Sequence, residues 1–207
     1  PIKSSAASDV YKRQVLVSVM MVNNESGAVM PIGAMAKLTH RLAPNAIFHT
    51  DAVQGFLKLP FQAKTLGADL ISISSHKVHG PKGAGALYIR RGLPLPPYLL
   101  GGGQEGGYRS GTEATPAVVG FGAACAAALP TLREDLAREA ALRDRSAALL
   151  AEIPGVELLG AREAPHILLA SIPGVPTQNT INILQDHGVC VSAGSACARG
   201  HRSHVLE

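Results

Sequence analysis

At 207 residues, with 46% hydrophobic and 16% charged residues, the chain is long and apolar enough to bury a core, which excludes a disordered polymer. Its net charge of +4 comes from scattered Lys and Arg, with no basic run and no aromatic-interleaved patch, which argues against a nucleic-acid partner. Three cysteines without a C-x-x-C pair argue against a disulfide framework or a zinc knuckle and fit a reducing, cytoplasmic setting, while no apolar run is long enough to cross a bilayer and no signal-peptide pattern opens the chain.

Pro1 to Gln14 are polar and aperiodic, and Asp9-Val10-Tyr11-Lys12-Arg13-Gln14 resembles one reading frame of a sequencing-library adaptor. Residues 1–14 are therefore expected to lie outside the native fold. A β-rich apolar run begins abruptly at Val15 and reaches Met21. With the short apolar runs Ala46–Asp51, Asp69–Ser75 and Gly85–Arg90 it reads as a set of buried strands. Between the first two, Pro31–Leu42 carries Ile32, Met35, Ala36 and Leu38 at helical spacing behind a proline suited to a helix start. Alternation of apolar runs with a helix predicts an α/β fold with a mostly parallel sheet covered on both faces.

Prolines and glycines over Leu93–Gly107 interrupt this pattern. Gly101, Gly103 and Gly106 spell G-x-G-x-x-G there, but Pro94, Pro96 and Pro97 stand where a Rossmann strand should run, so the match is a decoy. One Ala-rich helix is expected from Thr115 to Ala151, bridging two domains. Past Pro154-Gly155 a smaller α+β pattern follows, with strands at Val156–Leu159, His166–Ser171 and Val189–Ser192 and a helix at Gln178–His187. The expected division is a large domain over 15–130 and a small one over 131–207.

Ligands of open α/β sheets sit beyond the carboxyl ends of the strands. Asn23, Asn24 and Glu25 after the first run, Asp51 and Gln54 after the second, and Ser74, Ser75, His76 and Lys77 after the third are thus expected to converge on one crevice. Lys77 follows a buried strand and precedes a tight turn. Partial desolvation there would favour the neutral amine that Schiff-base chemistry needs, although position alone favours a surface lysine. Asp51 ends a strand, where a carboxylate can keep a pyridinium nitrogen protonated or can simply cap the next turn. His76 and His79 have no third ligand nearby and do not read as a metal site. Cys197 stands in a stretch of small residues able to move, whereas Cys125 in the Ala-rich helix and Cys190 in a strand read as small buried hydrophobes.

The segments Val22-Asn23-Asn24-Glu25-Ser26-Gly27, His49-Thr50-Asp51-Ala52-Val53-Gln54, Ser74-Ser75-His76-Lys77-Val78-His79-Gly80-Pro81-Lys82-Gly83, Arg109-Ser110-Gly111-Thr112 and Ser192-Ala193-Gly194-Ser195-Ala196-Cys197 resemble, in order and spacing, the cysteine desulfurases of iron–sulfur assembly. These are class-V aminotransferases of pyridoxal-phosphate fold type I. The resemblance runs from Val15 to Glu207 and implies a mostly parallel large domain with a smaller α+β C-terminal domain, both incomplete. It implies pyridoxal 5′-phosphate as cofactor, with Lys77 attached to it, Asp51 on the pyridinium nitrogen, Asn23 and Gln54 near the phenolic oxygen, and Ser74 and His76 on the phosphate. Thr112 would reach the phosphate of the other subunit in a homodimer. Cys197 would take the sulfur of L-cysteine, leaving L-alanine and an enzyme persulfide for an acceptor protein, with an iron–sulfur scaffold, a tRNA-thiolation protein and a cofactor-biosynthesis carrier all open.

Three family features are absent from the sequence: a phosphate-binding Thr turn and a ring-stacking histidine N-terminal to the match, and a substrate-carboxylate arginine beyond Glu207. Gly106 also stands where members often carry an arginine. The resemblance therefore implies a fragment, inactive by itself. A selenocysteine lyase or other enzyme of the same fold would share Asp51 and Lys77, with the Cys197 loop as discriminator. From a different class, a non-catalytic scaffold or sulfur carrier would keep only partner contacts.

Overall fold

The computed structural model describes residues 15–194. The adaptor-like segment 1–14 and Cys197 lie outside the described residues. Within them the chain divides into two compact units, one of residues 15–21 and 30–132, the other of residues 22–29 and 133–194.

In the first unit, β1 (Leu16–Met20), β2 (Ile47–Asp51), β3 (Leu70–Ser74) and β4 (Gly85–Ile89) form one sheet in that spatial order. The first three strands are parallel, with α1 (Ile32–Leu42) between β1 and β2 and the short α2 (Ala63–Leu66) between β2 and β3. β4 pairs antiparallel with β3, because the link 75–84 is too short to cross over the sheet.

Side chains alternate across a strand, so the register separates two faces. Val17 and Val19 of β1 stand beside Phe48 and Thr50 of β2, and Thr50 beside Ile71 of β3. Phe48 and Thr50 are completely buried and Ile71 nearly so. α1 is tied to this face by a stripe at four-residue spacing, Ile32, Ala36 and His40: the first two are buried and the third reaches Asp69. Asp69, at the foot of β3, is itself buried. Its Oδ2 accepts from Phe48 N–H at 2.8 Å and lies 2.8 Å from His40 Nε2, while its Oδ1 accepts from Arg90 Nε at 2.6 Å. One carboxylate thereby joins α1, β2, β3 and the residue after β4.

The opposite face carries Leu16, Ser18 and Met20 of β1, His49 and Asp51 of β2, and Ser72 and Ser74 of β3. It is only partly buried, Leu16 being 51% and Met20 38% exposed. Burial on both faces, as the sequence predicts, is thus met on one face by the described residues. The open face is the polar one.

The predicted helix Thr115–Ala151 is two helices, α3 (Thr115–Ala128) and α4 (Leu132–Ala151). Pro130 lies between them, and a proline removes a helical N–H and clashes with the preceding turn. α3 belongs to the first unit, where its Phe121 meets Phe56 edge-on with ring centroids 6.0 Å apart.

The second unit contains most of α4, an antiparallel pair β5 (Glu157–Leu159) and β6 (Leu169–Ser171), α5 (Thr177–Asp186), and the turn 22–29. Backbone bonds from Ala161 to Ser26 and from Ala164 to Gly27 fasten that turn, and the Glu163 carboxylate accepts from Val29 N–H at 2.6 Å. Gly160 has φ +76, and a side chain there would strike the Ser26 carbonyl, so glycine is required on both counts. The strand predicted at Val189–Ser192 is not formed. No described strand offers it a ladder, Val189 and Val191 are each 47% exposed, and Cys190 is exposed rather than buried.

Candidate active site

Because β2 and β3 are parallel, their carboxyl ends lie side by side at one edge of the first unit. Asp51 is the last residue of β2 and registers with Ser72 of β3. Its Oδ1 accepts from Val53 N–H at 2.9 Å, closing the turn that leads to Gln54. Ala52 N–H donates to Ser72 O at 2.9 Å, so the two strand ends are stitched together just past Asp51.

Beyond β3 the chain enters a single 3₁₀ turn, Ser75–Val78, that carries His76 and Lys77. His79 ends it with φ 64, a left-handed conformation uncommon outside glycine. Gly80 N–H returns to Ser75 O at 3.0 Å, an approach that a side chain at Gly80 would block by striking Ser75 Oγ. α3 backs the turn: Ala124 lies against Gly80, and a side chain at Gly120 would strike Pro81. The lysine is thereby presented by a turn packed on a helix. Ser75 is fully buried, and its Oγ has no hydrogen-bond partner among the described residues.

Of the predicted site residues, Asp51, Gln54, Ser74, His76 and Lys77 come from these adjacent strand ends. Ser74 Oγ and His76 Nδ1 are 2.7 Å apart, a hydroxyl and an imidazole placed as one pair. Lys77 is exposed, so the desolvation predicted for it is not supplied by the described residues. Thr112 is exposed in the irregular stretch before α3, with no described contact to this group. Asn23 belongs to the second unit, where its Oδ1 accepts from Glu25 N–H at 3.0 Å and Ser26 N–H at 2.8 Å. Cys197 is outside the described residues. Cys125 is half-buried in α3, and burial pushes its thiol pKa up, in keeping with an unreactive packed residue.

The donor set fits pyridoxal phosphate. A carboxylate ends one strand, an amine follows the next, and a hydroxyl–imidazole pair able to bind an anion lies between them in the chain. No group of His, Cys, Asp and Glu among the described residues is arranged to hold a metal ion.

His49 carries a role that the sequence reading left unassigned. Its Nδ1 lies 2.7 Å from Ser18 Oγ and its Nε2 2.8 Å from Ser72 Oγ, so one ring bridges β1, β2 and β3. Burial lowers its pKa, opposed by the negative charge of Asp51. The sequence signal was the alternation Phe48-His49-Thr50-Asp51, which puts His49 and Asp51 on one face. In the second unit a shallow cavity of about 300 Å³ is lined by Glu139, Arg143, Ser146 and His166 among others, and none of the predicted site residues lines it.

A profile of the aminotransferase class-V family matches residues 3–206. The cysteine desulfurase of Sinorhizobium fredii is 41% identical over 200 residues, covering 94% of this chain and 51% of that protein. A cysteine desulfurase of a Nostoc species is 42% identical over 196 residues, covering 92% and 48%. Among solved structures, a NifS-like protein from Rickettsia africae superposes with a TM-score of 0.82 at 35% identity, covering 91% of this chain and 54% of the other. The chain spans about half the length of the curated relatives it matches.

Proposed function

The chain belongs to the class-V aminotransferase family, and from that premise we propose that it is part of a pyridoxal-phosphate-dependent cysteine desulfurase that converts L-cysteine to L-alanine and holds the sulfur as a persulfide. The observation that carries this reading is the side-by-side placement of Asp51 and the Ser74–Lys77 turn at parallel strand ends. The matched relatives named as cysteine desulfurases support the choice of substrate. In this reading residues 15–130 are the cofactor-binding large domain and residues 131–207 a smaller domain bearing the sulfur-accepting loop. The working protein is a cytoplasmic homodimer.

Bound at this edge, pyridoxal phosphate supplies an electron sink for the bonds at the substrate α-carbon. Lys77 would anchor the cofactor, and its Nζ, as a neutral amine, would take the substrate's α-proton. Asp51 holds the proton on the ring nitrogen by placing a negative charge beside it. Ser74 and His76 would bind the phosphate, Asn23 and Gln54 would serve the phenolic oxygen, and Thr112 would serve the other subunit's phosphate. The Cys197 thiolate would attack the substrate sulfur and form the S–S bond. The electron pair of the broken carbon–sulfur bond would go to the substrate carbon and be protonated to give the methyl group of alanine, and the sulfur would remain on Cys197 as a persulfide for an acceptor protein.

The test is a visible spectrum of the complete protein containing this chain, before and after L-cysteine. A cofactor band that is lost in Lys77→Ala, with alanine formed only when Cys197 is present, is the expected result. Alanine formation that persists in Cys197→Ala would favour a different reaction on the same fold. Absence of a cofactor band in the wild-type protein would remove the roles given to Asp51, Lys77 and Cys197 together.

A further inference from the structure

His49 and Asp51 are neighbours on the open face of β2, two residues apart. A histidine beside a carboxylate ordinarily pairs with it, as His40 does with Asp69 in this chain at 2.8 Å. His49 does not. Ser18 on β1 and Ser72 on β3 occupy its two ring nitrogens at 2.7 and 2.8 Å. A neutral imidazole offers one donor and one acceptor, and a hydroxyl serves as either, so both bonds form in either tautomer. Asp51 is left with the Val53 N–H as a bond on Oδ1, and it has no ion pair among the described residues.

We infer that His49 is a positioning residue for Asp51: tied to both flanking strands, its ring holds the three strand ends together and is kept from pairing with the Asp51 carboxylate, which stays available to the cofactor's ring nitrogen. The inference rests on the cofactor reading above. It assigns the two serines a purpose that strand propensity does not explain, since serine gives little to a strand that packing does not supply better. Ser18 and Ser72 are the restraint, and His49 is the group restrained.

The experiment uses the complete protein and reads the dissociation constant for pyridoxal phosphate together with the pH profile of the bound cofactor's visible band. Ser18→Ala/Ser72→Ala frees the ring to pair with Asp51, and the dissociation constant is expected to rise about fivefold, the scale of one or two lost hydrogen bonds, with the band's pH profile shifted. Adding His49→Leu to that double variant removes the competitor and is expected to return affinity towards wild type. A purely structural bridge, already broken in the double variant, predicts no recovery. The single Ser18→Ala variant, altered at an exposed position, should move the same readouts in the same direction by a smaller factor, and it serves if the triple variant does not fold. Unchanged affinity and band in the serine variants, or no recovery on adding His49→Leu, overturns the inference while Asp51→Asn still weakens binding and so leaves the cofactor reading standing. If wild type binds no pyridoxal phosphate, or Asp51→Asn has no effect, the cofactor reading and this inference fall together.

Discussion

The two faces of the β1–β2–β3 sheet use the same residue types to opposite ends. On the buried face Asp69 collects a backbone N–H, a histidine and an arginine, and every bond it makes joins one element to another. On the open face Asp51 closes only its own turn, while the neighbouring histidine is engaged by serines. A carboxylate saturated by its own chain stabilises the fold and has nothing left to offer a ligand. A carboxylate left under-used at a strand end stabilises the fold little and remains free for chemistry, which is why polar residues at such ends signal a site.

The comparison can be broken first at its apolar anchor. Phe48 is completely buried beneath α1, and Phe48→Ala is expected to cost about 3–5 kcal/mol in urea unfolding, through lost burial and the cavity left behind. Next comes the pair of carboxylates. Asp69→Ala removes three bonds and leaves the Phe48 N–H unpaired in the core, at a cost of about 2–3 kcal/mol. Asp51→Ala removes one turn-closing bond, at a cost under about 1 kcal/mol in the same measurement. Cofactor retention on desalting should run in the other order, lost in Asp51→Ala and kept by whatever fraction of Asp69→Ala remains folded. Equal stability losses at the two aspartates would mean that the faces are not specialised as described. A smaller effect belongs to the turn that presents Lys77. Gly80→Ala forces a methyl group against Ser75 Oγ and is expected to cost about 1–3 kcal/mol by overpacking, with Lys77 displaced and cofactor binding weakened more than stability alone accounts for.

The parallel order of β1, β2 and β3 was legible because their apolar runs and the helical spacing of Ile32, Met35, Ala36 and Leu38 are local patterns. The strand-end placement of Asp51 and of the turn carrying Lys77 was legible because each lies at the end of such a run. Other features were not, for physical reasons. The break at Pro130 was masked by good helix formers on either side, residues 126–129 before it and residues 132–137 after it. Val189–Ser192 has strand-like composition, but a strand requires a partner, and pairing is not a local property. The openness of the His49 face also depends on what packs over it and cannot be read from β2 alone. Asp69 and the Ser18–His49–Ser72 bridge join residues separated by twenty or more positions, so nothing in their immediate sequence announces them.

The finest distinction between the faces is in their response to acid. Burial disfavours the charge on Asp69, but the Phe48 N–H, His40 and Arg90 outweigh it, and its pKa falls below the ordinary 3.8. A carboxylate with a depressed folded pKa contributes stability that is complete above its unfolded value and is lost as pH falls through the folded one, so the buried face weakens only below about pH 4. His49 is lowered from 6.5 chiefly by burial, with Asp51 pulling the other way. For this base the unfolded chain takes up a proton before the folded chain does, so stability begins to fall as pH drops through 6.5 and continues to fall until the lowered folded value is passed. Unfolding free energy followed from pH 8 to 3 should therefore show a shallow loss beginning near 6.5 that His49→Gln removes, and a later acid loss that Asp69→Asn removes. If His49→Gln leaves the first slope intact, that slope belongs to other groups, and burial of the His49 ring does not set the open face's response to acid.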